Sequence, residues 1–300
     1  LPLQCGEKAV LRVLDRSSIT VGLDRLGFHA EPLAKFKEAI KKPYGMILVT
    51  GPTGSGKSTS LYAVLNALNT PMRKIMTVED PVEYQLHGVN QIPVNPKIEL
   101  TFAAGLRSIL RQDPDIVLVG EIRDRETAEI AIQASLTGHL VLSTLHTNDS
   151  ASSVTRLMDM GVEPFLVSSS ILAILAQRLV RGVCRDCAKK YTPSEVELMQ
   201  AGITAADLKG KQLYRAVGCD RCLNTGYAGR LGIHELLIMD DDVRSLVMQR
   251  LDATTIKRKA MEKGMMTLRE DGIQKAIRGL TTLEEVMMLT QEDVQRQQVA

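Results

Sequence analysis

Short apolar runs at 46–49, 74–78, 116–119 and 140–144 punctuate the first half of the chain. Each is too short for a stable helix and reads as a strand buried on both faces. Between them the apolar positions change to a helical spacing: Leu61, Val64, Leu65 and Leu68 share one face, and similar stripes run through 101–112, 124–136 and 151–159. An earlier helix starts at Glu31, with Leu33, Phe36 and Ile40 on one side. Strands alternating with amphipathic helices predict an α/β core with a mostly parallel sheet. The run 165–176 is interrupted by Ser168, Ser169 and Ser170, is too short to cross a bilayer, and reads as a buried helix. From about 240 the pattern is helical (Val243, Leu246 and Val247, then Ile273 and Ile277) and ends in a polar tail.

These shifts divide the chain into five expected units. Residues 1–15, strand-like at 9–14, are the last strand of a domain lying mostly upstream, and 16–28 is a linker with Gly22 and Gly27. An α/β nucleotide-binding domain spans 29–182, a four-cysteine subdomain 183–228, and a helical subdomain 229–300.

Gly51-Pro52-Thr53-Gly54-Ser55-Gly56-Lys57-Ser58-Thr59 follows the first strand and opens a helix. That context marks a phosphate-binding loop: glycines let backbone N–H groups wrap an anion, and the helix N-terminus adds partial positive charge. Lys57 would reach the β- and γ-phosphates and Ser58 would offer its hydroxyl to Mg²⁺, so ATP and Mg²⁺ are the expected ligands.

Three further stretches end at the strand termini where open α/β sheets bind ligands. The strand 116–119 ends in Gly120-Glu121, leaving Glu121 as the acid able to serve Mg²⁺ through water, or the attacking water itself. Glu79, Asp80 and Glu83 lie past the strand at 74–78, and each could orient that water; spacing does not choose among them. His146 ends the strand at 140–144 on the phosphate side, as a γ-phosphate sensor would, whereas His139 opens the strand and lies farther away if it runs parallel. Arg12, Arg16, Arg107, Arg111, Arg123 and Arg125 are candidates for completing the site.

Cys184-x-x-Cys187 and Cys219-x-x-Cys222 offer four thiolates, a closed tetrahedral set suited to a structural Zn²⁺ rather than an open catalytic metal. Two redox dithiols are the rival reading, and Cys5 stands alone. A net charge of +2, 3% aromatic residues and no Trp argue against a nucleic-acid partner. The absence of a secretory signal or a membrane-length apolar run, with paired cysteines, points to a reducing cytoplasm.

Taken together, the loop at 51–59, Glu79-Asp80-Pro81-Val82-Glu83, the stretch from Arg111 to Asp124 and that from Ala134 to Asn148 resemble the secretion ATPases, the motors of type II secretion and type IV pilus assembly. The likeness runs from Gly6 to Val286. It implies a RecA-like core and a homo-hexamer, cytoplasmic and peripheral on the bacterial inner membrane through platform and recruitment partners. It assigns Glu83 as general base, Glu121 as the Walker B glutamate, and His139 and His146 as the paired histidines. Arg12 would be supplied to the nucleotide by the N-terminal domain. The four cysteines favour the secretion and pilus-extension branches, and the linker leans toward type II secretion. A nucleic-acid translocase with a RecA-like core and a poorly hydrolysing switch are the alternatives of other classes.

Overall fold

A computed structural model describes residues 22–290, together with the backbone pairing of β1 (Pro2–Leu3) with β2 (Gly6–Glu7). Cys5, Arg12, Arg16, the linker positions 16–21 and the tail from 291 lie outside the described residues. A turn of 3-10 helix (Leu23–Arg25) and α1 (Ala30–Ile40) lead into β3 (Gly45–Thr50). Next come α2 (Lys57–Leu68), β4 (Ile75–Glu79), β5 (Val89–Pro93), α3 (Phe102–Leu110) and β6 (Ile116–Val119). They are followed by α4 (Arg125–Leu136), β7 (Leu140–Leu145), α5 (Ser150–Asp159), α6 (Pro164–Ser170) and β8 (Ile171–Val183). The insertion holds β9 (Lys189–Tyr191), α7 (Glu195–Ala201) and β10 (Leu213–Arg215), after which β11 (Tyr227–Ile238) returns to the sheet. Then α8 (Asp241–Met248), α9 (Ala253–Glu262), α10 (Leu268–Ile277) and α11 (Leu283–Leu289) close the described chain.

Seven strands form one sheet in the order β11-β8-β3-β7-β6-β4-β5. All neighbours are parallel except β11, which runs antiparallel to β8 at the edge. The apolar runs split by alternation, as a pleated strand requires. Met46 and Leu48 join Val117, Val119 and Val141 on the face covered by α3 to α6, while Ile47 and Val49 join Leu118 and Leu142 on the face covered by α1 and α2. Full burial of each such side chain contributes roughly 1.5–3 kcal/mol. The chain leaves β3 through α2 toward β4 on one side, and leaves β7 through α5 and α6 toward β8 on the other. The loop after β3 therefore lies where the strand order reverses, the crevice that favours ligands.

The expected buried helix at 165–176 is corrected. Its helix, α6, ends at Ser170, and Ile171 opens β8, which takes its ladder from β3 on one side and β11 on the other. Ile171, Ala173, Ile174, Leu175 and Ala176 have no exposed surface. A strand covered on both faces carries the same continuous apolar signal as a buried helix. Residues 229–238, read as the head of a helical segment, lie in β11.

Candidate functional site

The phosphate loop begins as β3 ends. Gly51 (φ 148°) and Gly56 (φ 87°) hold conformations that favour glycine, and both press on one side chain's neighbourhood. A Cβ on Gly51 would stand 2.4 Å from the Gln177 carbonyl, and one on Gly56 would stand 2.8 Å from Gln177 Nε2. Gln177 is buried at 2% exposure and braces the loop from β8. Its Nε2 donates to the Ser55 carbonyl at 2.8 Å, and its Oε1 accepts from the Ser60 hydroxyl at 2.6 Å.

Lys57 opens α2 and folds back to donate to the carbonyls of Gly51 (2.8 Å) and Pro52 (3.1 Å). Burial lowers its pKa, the Glu121 carboxylate opposes that shift, and the Arg178 guanidinium adds to it. The N-terminus of α2, like those of α1 and α6, has no side-chain cap, whereas α3, α4, α5, α8 and α9 are capped by Thr101, Asp124, Asp149, Asp240 and Asp252. Bare N–H groups beside a lysine and a glycine turn form an anion cradle.

Glu121 and His146, 25 positions apart in sequence, meet at this edge: His146 Nε2 lies 3.0 Å from Glu121 Oε2. Arg123 pairs with the other carboxylate oxygen. The glycine before Glu121 has a steric cause, since a Cβ at Gly120 would lie 3.2 Å from the Phe102 ring and 3.3 Å from the Val78 carbonyl. The loop bearing His146 is pinned where it leaves β7. Thr147 N donates to Thr50 Oγ1 at 2.9 Å, and the Arg178 guanidinium donates to Asn148 O and Oδ1 at 3.0 and 3.2 Å.

Among the three acidic residues at and beyond the end of β4, geometry separates one. Glu79 is buried and already engaged, accepting from the Tyr62 hydroxyl, from Thr77 Oγ1 at 2.5 Å and from Gln91 Nε2 at 3.1 Å. Burial, followed by the hydrogen bond and charge of Glu79, raises the Tyr62 pKa and keeps the phenol protonated as donor. Glu79 is thus a fixed acceptor, while Asp80 is exposed and Glu83 is half-buried.

His139 is not brought to this edge. It precedes the first residue of β7, with Nδ1 2.9 Å from the Ala134 carbonyl. Because β7 runs parallel to β3, His139 and the phosphate loop lie at opposite ends of a six-residue strand, about 20 Å apart. Arg107 pairs with Glu126 and Arg125 with Glu129, each bridge on exposed helix surface.

Gln177 and Arg178 were missed in the sequence. Their signal is a polar pair ending the apolar run 171–176, legible once that run is seen as a strand whose Ala176 pairs with Thr50, the last residue of β3.

The four paired cysteines, all free thiols, bring their sulfurs within 4.8 Å of one another. Separations of 3.7 Å (Cys219–Cys222), 3.8 Å (Cys187–Cys222) and 4.0 Å (Cys184–Cys219) bracket the ~3.8 Å edge of a tetrahedron with ~2.3 Å metal–sulfur bonds. Amide N–H groups of Gly218, Cys219 and Gly226 point at sulfur, at 3.4, 3.2 and 3.2 Å, which suits thiolates. Burial pushes the Cys187 pKa up; at Cys222 burial acts the same way, but the amides of Cys219 and Gly226 together with the Cys219 and Cys187 thiols hold it down to about 6. The donor set fits a zinc ion.

Comparison with known proteins gives the family and the fold. The sequence model of the family described as "Type II/IV secretion system protein" matches residues 1–288. The chain belongs to this family. It is 53% identical over 293 residues to the type II secretion system protein E of Dickeya dadantii, covering 98% of this chain and 58% of that protein. It is 52% identical over 292 residues to the type IV pilus assembly ATPase PilB of Thermus thermophilus, covering 97% of this chain and 33% of that protein. This member of the secretion family therefore spans only part of these relatives. Its fold matches the crystal structure of the pilus retraction motor PilT with bound ADP, with a TM-score of 0.66 and 29% identity over 90% of this chain and 66% of that one.

Proposed function

We propose that this chain is the motor portion of a hexameric ATPase that powers protein export by a type II secretion system. The observation that carries its nucleotide site is the uncapped start of α2, where Lys57 feels the charge of Glu121, itself paired with His146, and the family match supports the secretion role. ATP would lie with its phosphates against residues 51–59, Lys57 on the β- and γ-phosphates and the α2 N–H groups completing the cradle. The Ser58 hydroxyl, exposed in the first turn of α2, and Glu121 supply oxygen donors suited to Mg²⁺, which would neutralise phosphate charge when bound. Glu79 is committed to Tyr62, Thr77 and Gln91, which leaves Asp80 and Glu83, and by the family resemblance Glu83 would take the proton of the attacking water. His146, held to Glu121, would sense the terminal phosphate, and Arg12 would arrive from the N-terminal domain. The role of His139 would lie at the opposite end of β7, away from the nucleotide of its own subunit.

The four thiolates would hold a structural Zn²⁺, stapling the insertion that packs Leu198 and Leu213 against Ile273 and Val286 of α10 and α11. Opening and closing of the nucleotide cleft would move membrane-bound partners. A pilus-assembly motor is the second reading, favoured by the 52% identity to the Thermus thermophilus protein. Lys57→Ala tests the core of the proposal. It should abolish Mg-ATP binding by the full-length protein, and wild-type affinity in that variant would overturn the site.

A further inference from the structure

We infer that Arg178 is the residue through which this subunit distinguishes ATP from ADP, by donating to the terminal phosphate. This deepens the proposed ATPase reading and rests on it.

Position is the first argument. β8 runs parallel to β3 and pairs Ala176 with Thr50, so residues 177 and 178 project just beyond the end of β3, beside the start of the phosphate loop. Gln177 faces α2 and binds Ser55 and Ser60. By the alternation of a strand, Arg178 faces the opposite way, toward the loop that carries His146. Its Nη2 reaches Asn148 O and Oδ1 at 3.0 and 3.2 Å, two residues beyond that histidine. Its Nη1 donates to the Gln177 carbonyl at 3.4 Å, the carbonyl against which Gly51 packs, so the guanidinium lies between the start of the phosphate loop and the 146–148 loop.

Charge is the second argument. A triphosphate keeps net negative charge even with Mg²⁺ bound, more than Lys57 alone can match, and the neighbouring carboxylate of Glu121 adds to that burden. Arg178 is near enough to Lys57 to lower its pKa. Two cations converging on one cradle suit an anion lying between them. The planar fork of arginine also suits phosphate oxygens better than lysine's point charge. A diphosphate ends before the group that Arg178 would meet, so its contribution should fall on ATP.

The test uses the full-length protein with Mg²⁺, measuring affinity for a non-hydrolysable ATP analogue and for ADP. One lost charge-assisted bond corresponds to about tenfold or more in affinity. Arg178→Gln is expected to weaken the ATP analogue by about that factor while ADP stays within about twofold. Arg178→Lys should recover part of the loss, and thermal melting of both variants reports whether the fold is kept. Asn148→Ala trims the tie without removing the charge and should keep most of the discrimination. Equal weakening of both nucleotides, no weakening of either, or an Asn148→Ala variant as impaired as Arg178→Gln would overturn the inference and leave Arg178 a structural tie. If Lys57→Ala bound both nucleotides normally, the ATP-binding reading itself would fail, whatever Arg178 did.

Discussion

Replacing Gln177 by Leu keeps nearly the same volume but removes both hydrogen bonds that tie β8 to the phosphate loop and to α2. The Ser55 carbonyl loses its 2.8 Å donor and the Ser60 hydroxyl its 2.6 Å acceptor, both in buried residues. A buried group left unsatisfied costs about 1–3 kcal/mol. Ser60 can turn back to the Gly56 carbonyl within its own helix, which reduces its share. The Ser55 carbonyl, in a tight turn, has less freedom to find another donor. A total of about 2–4 kcal/mol follows, which for a domain of this size lowers the melting temperature by roughly 5–12 °C. Because the orphaned carbonyl lies in the loop that would wrap the phosphates, Mg-ATP affinity should fall along with stability. Thermal melting with and without Mg-ATP, alongside titration of a fluorescent nucleotide, reads both effects. Gln177→Glu, which keeps the acceptor for Ser60 but not the donor for Ser55, separates the two bonds. A Leu variant melting within about one degree of wild type and binding ATP equally well would refute the idea that Gln177 braces the loop.

Two further outcomes are expected. Freshly reduced protein should contain about one zinc per chain, lost in Cys187→Ser; metal analysis finding none in wild type would remove the tetrahedral site. His234 is buried on Phe28, ring centroids 3.9 Å apart, with neither ring nitrogen hydrogen-bonded, and burial, helped by Lys275 and opposed by Asp271, lowers its pKa to about 3. The unfolded chain takes up this proton near pH 6.5 and the folded one only near 3, so stability falls as pH drops through that window, by up to about 1.4 kcal/mol per pH unit. Urea unfolding between roughly pH 6 and 4.5 should show that slope reduced in His234→Leu, and an unchanged slope would contradict the assignment.

The legible parts of the chain were those where local pattern and tertiary context agree. β3, β6 and β7 are apolar runs bounded by glycine, proline or charge, and each carries its chemistry at its end: Gly51, Glu121 and His146. The four thiolates were legible because pair spacing alone limits what they can do. β8 was illegible because no turn residue separates Ser170 from Ile171, and its apolar run has neither helical nor alternating period. That misreading hid Gln177 and Arg178, whose partners Ser55, Ser60 and Asn148 come from distant parts of the sequence. The separation of Glu79 from Glu83 likewise needed Tyr62 of α2 and Gln91 of β5, and spacing along one strand end carries no trace of either.

The central claim is that the site of Lys57, Glu121 and His146, with Glu83 as the proposed base, hydrolyses ATP rather than merely binding it. Phosphate release by the full-length assembled protein, measured beside nucleotide affinity in Glu83→Gln, tests it most directly. The account predicts Mg-ATP affinity near wild type and phosphate release slower by about 10²- to 10⁴-fold, the usual loss on removing a general base. Release at the wild-type rate with Glu83 replaced would contradict it.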